Sequence, residues 1–238
     1  FFGFPLFEWS LAAGLFLKQQ LSGLREISVV CTSDDDQILD LVKKKYSSSI
    51  LAVRRKPELS DDNAILSDVI FDCIYKLAER HVISLDDYLS GSFILLQPTS
   101  PIRLKDDLVS FCRQTNNLGN NLSMVSVNKN YSEIKDIYEI IKFSEARSDF
   151  LLGHIGKKLL KVSAIKKDSN SAFVDGSLYL GLISALKEKG FMPAAKTLAF
   201  PLSIKRSIDI DTEEEFDDAL VLIKELQNLE IEYVSPKI

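Results

Sequence analysis

The sequence predicts an α/β fold, a three-layer α/β/α arrangement around a mainly parallel sheet. Two observations carry this prediction. Short β-branched or apolar runs alternate with stretches of helical periodicity along most of the 238 residues, which is the rhythm of right-handed βαβ units. The strand-like runs are also continuously apolar rather than alternating, as suits strands buried on both faces.

Pro5 suits a first helical turn, and Leu6, Trp9, Ala13 and Phe16 then recur at helical spacing. The β-branched run 27–31 reads as a buried strand. Ile38, Leu41 and Val42 mark the next helix. A strand over 50–53 precedes the polar segment 54–63. Leu66, Val69, Ile70, Cys73 and Leu77 stripe a third helix. A strand over 93–96 runs into Gln97-Pro98-Thr99-Ser100-Pro101, where two prolines end it and stiffen the turn. A helix over 104–112 and a strand over 122–127 follow. Between 129 and 170 charged residues and isolated apolars lose any consistent period. This stretch is expected to be an insertion, partly strand, packed outside the main sheet, so that the α/β domain comprises 1–128 and 171–238. The rhythm resumes with a strand over 173–180, a helix over 182–189, a strand over 197–201 and a last helix striped by Phe216, Leu220, Ile223 and Leu226.

Composition narrows the function classes. Cys31, Cys73 and Cys112 lie far apart, with neither a disulfide framework nor zinc-ligand spacing, and read as reduced core residues of a cytoplasmic protein. A net charge of -5 speaks against a general nucleic-acid or anionic-membrane surface but leaves room for a phosphate ligand beside local cations. No apolar run approaches the roughly 20 residues of a membrane span. The apolar stretch 1–17 is broken by Glu8 and Trp9 and reads as a core helix. The start at Phe1 without a Met suggests that further residues precede it. His81 and His154 have no evident carboxylate or cysteine partners and read as surface or structural.

Ligands of open parallel sheets sit beyond the carboxyl ends of the strands, which directs attention to 32–36, 54–62, 97–103, Asp175 and 207–211, and three of these segments offer chemistry. In Gln97-Pro98-Thr99-Ser100-Pro101-Ile102-Arg103 a strand ends at a stiff loop offering an amide, two hydroxyls and a guanidinium, with little entropy to lose on binding. The plainer reading is a turn in which Thr99 or Ser100 caps the next helix. In Ser207-Ile208-Asp209-Ile210-Asp211-Thr212, strand-like backbone would point Asp209 and Asp211 the same way. Two carboxylates side by side suit magnesium, which takes one or two of them plus phosphate oxygens and water. Alternatively, Asp211 or Thr212 caps the last helix, with Glu214 or Glu215 completing a capping box; both can hold. The cations of Arg54-Arg55-Lys56 could grip a triphosphate, or lie on a solvated loop.

Taken in order, these segments resemble the acylneuraminate cytidylyltransferases, the CMP-sialic acid synthetases. Gly3-Phe4-Pro5-Leu6-Phe7-Glu8-Trp9-Ser10-Leu11-Ala12-Ala13 is similar to that family's first helix, and Arg55-Lys56-Pro57-Glu58-Leu59-Ser60-Asp61-Asp62 to its Arg-Pro-x-Glu-Leu-x-x-Asp segment. Leu95 to Arg103 resembles its Leu-Gln-Pro-Thr-Ser-Pro-Leu-Arg segment, Asp175-Gly176-Ser177-Leu178-Tyr179 its Asn-Gly-x-Ile-Tyr segment, and Ser207 to Thr212 its metal-binding end.

The resemblance implies a nucleotide-diphospho-sugar-transferase-like fold whose insertion serves as a dimerisation arm, and hence a homodimer. It implies transfer of CMP from CTP to a nonulosonic, sialic-acid-like sugar, with Mg2+ on Asp209 and Asp211 as the catalytic pair. Arg55, Ser60 and Asp61 would hold the nucleotide, and Gln97, Thr99, Lys135, Asp175 and Tyr179 the sugar. Two departures stand out. The family's Arg-x-x-Ser-Lys phosphate loop, whose place is ahead of Phe1, has no counterpart in the sequence, and Phe173-Val174-Asp175-Gly176 stands where the family has Arg-x-Asn-Gly. A carboxylate at Asp175 disfavours an anionic sugar unless a cation neutralises it, or unless the sugar carries an amine. The alternatives are a catalytically impaired homologue acting as a nucleotide-sugar-binding or scaffold protein, and a nucleotidyltransferase for another sugar or nucleotide.

Overall fold

The alternation along the chain condenses into the predicted layers. The computed structural model describes residues 1–23, 26–61, 63–80, 84–115, 118, 123–128, 138–142, 157–161, 171–189, 197–202 and 208–236. The elements are α1 (Leu6–Leu21), β1 (Val29–Ser33), α2 (Asp36–Tyr46), β2 (Ile50–Arg54), a 3-10 turn (Pro57–Leu59), α3 (Leu66–Glu79), α4 (Leu85–Ser90), β3 (Ser92–Leu95) and α5 (Lys105–Thr115). Then follow β4 (Ser123–Asn128), β5 (Tyr138–Lys142), β6 (Lys157–Lys161), β7 (Ser171–Leu182), α6 (Ile183–Lys189), β8 (Thr197–Pro201) and α7 (Glu213–Asn228).

Local chemistry sets several of these boundaries. The Asp35 carboxylate accepts from the Gln37 amide at 2.7 Å and opens α2. At α7 the Thr212 hydroxyl accepts from the Glu215 amide at 3.2 Å while the Glu215 carboxylate accepts from the Thr212 amide at 2.9 Å, a complete capping box. The capping reading of this segment therefore holds for Thr212 and Glu215. Replacing Thr212 by Ala is expected to cost about 1 kcal/mol, seen as a fall in melting temperature of about 2–4 °C by scanning fluorimetry. Sequence periodicity did not show α4, whose six residues are too few for a stripe; its sign is the Ser84 hydroxyl, which accepts from the Asp87 amide at 3.2 Å.

Parallel pairing joins β1 to β2 and β4 to β8, while β7 runs antiparallel between β3 and β4. A strand buried on both faces is apolar whichever way it runs, so its composition does not encode its direction. The six-stranded sheet has the order β3-β7-β4-β8-β6-β5. Strands β5 and β6 come from the insertion. They pair with each other and reach the rest of the sheet through Tyr138↔Ala172, Glu139↔Ser171 and Lys158↔Leu198. These strands thus extend the sheet, where the sequence suggested packing outside it. Sheet edges leave unpaired amides that favour such additions.

The two faces of the sheet pack separately, as period-two side chains require. Met124, Leu178, Leu180 and Phe200 meet Ala13 and Leu17 of α1 and Leu108 and Phe111 of α5. Val125, Val127, Ala199, Val174 and Tyr179 cluster together. Trp9, Ile102, Ile210 and Ile223 form a third cluster that joins α1 to α7, and Leu11, Val42 and Ile50 a fourth that joins α1 to α2 and β2. Glu8, which interrupts the apolar start, is only 3% exposed; its carboxylate accepts from Lys45 Nζ and the Tyr46 hydroxyl, both at 2.5 Å, and so ties α1 to the end of α2. Burial pushes the thiols up to about 11 for Cys31, 12 for Cys73 and 11 for Cys112, consistent with unreactive, reduced cysteines. Among the described residues no helix is long and apolar enough to cross a membrane.

Candidate active site

Beyond the carboxyl end of β3 the chain leaves the sheet as Gln97-Pro98-Thr99-Ser100-Pro101. Register places Leu95 opposite Tyr179 of β7, so this loop emerges alongside the earlier part of β7. That part of β7 is irregular. The pairs Val125↔Tyr179 and Val127↔Val174 leave Ser126 of β4 facing Asp175, Gly176, Ser177 and Leu178. Such a bulge re-aims a strand locally. Ser126 fills the gap. Its hydroxyl donates to the Asp175 carboxylate and accepts from the Leu178 amide at 2.8 Å. The same carboxylate oxygen of Asp175 accepts from the Ser177 amide at 3.0 Å. Gly176 sits at the tip with φ +78°, a left-handed conformation that glycine adopts without strain.

The bulge, the proline loop and the aspartate segment meet at this tip. A Cβ on Gly176 would lie 2.8 Å from Asp209 Oδ2 and 3.1 Å from Ser100 Oγ. The Ser100 hydroxyl donates to Asp209 Oδ1 at 3.2 Å, and the Ile210 amide donates to the Thr99 carbonyl at 2.7 Å. Ser100 is fully buried and bonds Asp209, so it does not cap α5, which starts five residues later. Asp209 is half-buried, whereas Asp211 is exposed and its amide donates to the Glu215 carboxylate at 2.8 Å.

Arg103, expected from sequence to face a ligand, turns inwards. It is 2% exposed, and its guanidinium donates from Nε to the Ser177 carbonyl at 3.0 Å, from Nη1 to the Ser10 hydroxyl at 3.2 Å and from Nη2 to the Gln97 carbonyl at 2.9 Å. Burial pushes this group down to about 9, while the Asp175 and Asp209 carboxylates beside it pull it back up. It stays charged at neutral pH. Asp175, 5% exposed, is held by Ser126 and Ser177 and has the cation that the sequence required of a carboxylate here: Arg103.

The structure thus brings the backbone of Gln97 and Thr99 together with Asp175 and Asp209 through Ser100, Gly176 and Arg103, with Asp211 two residues on, whereas Tyr179 of β7 clusters with Val125, Val127, Val174 and Ala199. Arg55, Ser60 and Asp61 lie apart, and no hydrogen bond or ion pair among the described residues joins them to this group. Arg55 follows β2, its amide bonded to the Ser33 carbonyl at 2.8 Å and its Nη2 3.5 Å from Asp34 Oδ1. Its buried Nε and the Thr32 hydroxyl have no hydrogen-bond partner among the described residues. Arg54 pairs with Asp36, and Lys56 lies 3.7 Å from Asp72, so each cation of the Arg54-Arg55-Lys56 run has a carboxylate beside it. Ser60 donates to the Lys56 carbonyl and Asp61 accepts from the Asn63 amide, which are local loop bonds. Lys135, Asp62, Ser207, His81 and His154 lie outside the described residues. A groove of about 490 Å3 runs between Lys56, Leu59 and the Phe71, Asp72 and Tyr75 side chains of α3, away from Asp209.

Sequence reasoning missed Ser10, Ser126 and the inward turn of Arg103. A cation inside the apolar run Pro101-Ile102-Arg103-Leu104 was the available sign, because arginine is seldom fully buried without partners. The Asp-Gly dipeptide inside a strand pattern was the sign of the bulge.

Donor chemistry at the tip fits a hard divalent cation. Asp209 and Asp211 supply carboxylate oxygens, and Gly176, lacking a side chain, lets the Asp209 carboxylate pack directly against it. Among the described residues, no group of three or more His, Cys, Asp or Glu could hold a metal, so further ligands would have to come from substrate and water.

Searches against family models and against curated proteins return no match. The fold does match solved structures. A nucleoside-diphosphate-sugar pyrophosphorylase from Vibrio cholerae superposes with a TM-score of 0.56 at 12% identity, over 92% of this chain and 88% of that one. An inositol-1-phosphate CTP transferase from T. maritima gives 0.54 at 13% identity, over 95% and 85%. A CMP:2-keto-3-deoxy-manno-octonic acid synthetase complexed with CTP gives 0.53 at 10% identity, over 90% and 88%. The chain therefore has the nucleotide-diphospho-sugar-transferase-like α/β fold.

Proposed function

We propose that the protein is a CTP-dependent nucleotidyltransferase acting on a sugar, and specifically that it activates a nonulosonic acid to its CMP-sugar with release of pyrophosphate. The observation that carries this reading is the meeting of the Gln97–Ser100 loop, the Asp175–Gly176 bulge and Asp209 at one point. The superposed proteins, two of them named for CTP or its transfer, support the nucleotide class.

In this reaction the anomeric hydroxyl attacks the α-phosphorus of CTP. A phosphorus–oxygen bond forms to the sugar, the bond to the β-phosphate bridge breaks, pyrophosphate leaves, and the hydroxyl proton passes to solvent. Asp209 and Asp211 would hold Mg2+, which when bound offsets charge on the phosphates and lowers the pKa of the attacking hydroxyl. Gln97 and Thr99, on the stiff loop, would orient the sugar with Tyr179 and Lys135, so that little motion is lost on binding. Asp175 would serve through its neighbours, since its carboxylate is buried against Ser126, Ser177 and Arg103. Arg55, whose buried Nε has no hydrogen-bond partner among the described residues, and Ser60 and Asp61 on the following loop would receive the nucleotide at the ends of β1 and β2. Pairing of two copies through 129–170 in the cytoplasm belongs to the same reading.

The test is a coupled pyrophosphate assay with CTP, Mg2+ and a panel of nonulosonic acids, run beside a CTP thermal-shift titration. Turnover with at least one such acid is expected, together with stabilisation by CTP. Absence of both would leave a binding or scaffold protein in place of the enzyme.

A further inference from the structure

We propose that Arg103 is the positioning residue of this site, a buried guanidinium that locks the proline loop, α1 and the β7 bulge into one register so that Gln97 and Asp209 face the same volume. The inference rests on the enzymatic reading above and goes beyond it, because Arg103 makes its bonds inside the protein and reaches no substrate.

The three hydrogen bonds of Arg103 run to three different parts of the chain: Ser10 in α1, Gln97 at the end of β3 and Ser177 in the bulge. Each acceptor adjoins a candidate functional group. The Gln97 carbonyl belongs to the residue expected to meet the sugar. Ser177 follows Gly176, whose tip contacts Asp209. Ser10 closes the figure, since its hydroxyl accepts from Arg103 and donates to the same Gln97 carbonyl at 2.9 Å. Arg103 itself follows Pro101-Ile102 directly, so loop and clamp are one covalent piece. The next residue but one starts α5, and the Arg103 carbonyl accepts from the Val234 amide at 2.9 Å, which anchors the clamp from behind.

A buried ion is weak evidence for stability, since well-packed apolar residues often replace one without loss. What an apolar residue cannot supply is direction. The guanidinium is a planar fork whose donors have fixed relative angles, so satisfying three acceptors at once fixes their relative placement. The Asp175 and Asp209 carboxylates lie close enough to act on its charge, one held within the bulge and the other touching its tip. A lysine at this position would keep the charge and lose the fork, because an ammonium on a flexible stem is a point donor.

Arg103→Lys separates the two roles. The variant is expected to fold, to keep KM for CTP within about 3-fold and to lose about 100-fold in kcat, since the sugar and metal sides slip relative to each other while the ends of β1 and β2 are untouched. Hydrogen–deuterium exchange on the same protein without ligands supplies a readout independent of turnover. Exchange is expected to rise at least about 10-fold in both the 96–100 and 176–179 segments and to stay unchanged in α3. Ser10→Ala, which keeps the arginine and removes one acceptor, is expected to give the same pattern more weakly, with exchange up about 3-fold in both segments and kcat down about 10-fold, and decides the matter if Arg103→Lys does not fold. Wild-type exchange in both segments of the folded variants overturns the proposal, as does a wild-type kcat for Arg103→Lys. A wild-type protein inactive on every sugar would end the enzymatic reading alone, while the exchange experiment still judges the clamp.

Discussion

Replacing Asp209 by Asn is expected to lower pyrophosphate release from CTP at least about 1,000-fold, equivalent to roughly 4 kcal/mol of barrier. The substitution keeps the shape and the acceptor for the Ser100 hydroxyl but removes the charge. A neutral amide is a poor ligand for a hard divalent cation, so the electrostatic stabilisation of the transferring phosphate is lost. Asp209 also lies beside the buried charge of Arg103, so stability should fall modestly, by about 1–2 kcal/mol, the range of an ordinary substitution. Asp211→Asn is the companion. Its side chain is exposed and the capping bonds use its amide, Thr212 and Glu215, so stability should change by less than about 1–2 kcal/mol while turnover is again abolished. Steady-state rates over a range of Mg2+, with melting curves on the same samples, check both. Full activity of either variant makes that carboxylate purely structural.

The elements were legible wherever a single physical pattern dominated. The strand over 197–201, the helix behind Pro5 and the stripe of the last helix appear almost where periodicity puts them. Strand direction was not legible, because burial on both faces erases the alternation that distinguishes one edge or orientation from another, and β7 therefore emerged antiparallel. The fate of the insertion was not legible either, since pairing such as Lys158↔Leu198 depends on which sheet edge lies free and not on the segment's own residues. At the site, spacing pointed to Asp209 and the proline loop, but long-range bonds decide what each does. Ser100 and Asp209 are 109 positions apart, and Arg103 and Ser177 are 74 apart. Nothing local to Arg103 says which acceptors it will meet when it faces inwards. The neighbouring Pro101, Ile102 and Leu104, all buried, carry it there.

The same long-range logic explains the aspartate at 175. Viewed in sequence, a carboxylate near an acidic sugar is an electrostatic problem. In the fold it accepts two hydrogen bonds from Ser126 and Ser177 and lies beside a cation, so its charge is spent on shaping the bulge. An amine on the substrate is then unnecessary. The cations at 54–56 show the converse. In sequence they form an anion-binding cluster, yet in the fold Asp36, Asp34 and Asp72 stand beside them. A triphosphate would have to displace those carboxylates or rely on groups other than these three.

Gly176→Ala is the most damaging conservative change expected for this site. Two separate penalties act. At φ +78° an L side chain is strained, by about 1–2 kcal/mol. The new methyl would also sit 2.8 Å from Asp209 Oδ2, 3.1 Å from Asp209 Cγ and 3.1 Å from Ser100 Oγ. Neither neighbour yields easily, because Ser100 is fully buried and Asp209 is held between Ser100 and the Ile210–Thr99 backbone bond. Overpacking of this kind adds about 1–3 kcal/mol. The sum, about 2–5 kcal/mol, should lower the melting temperature by about 4–20 °C. Turnover should fall at least about 100-fold even well below the melting temperature, because relieving the clash means moving the Asp209 carboxylate. Measuring kcat on the folded variant at low temperature separates the two effects. An Ala variant that melts lower yet turns over normally would show that Asp209 need not stay where Gly176 leaves room for it, and would detach the bulge from the chemistry.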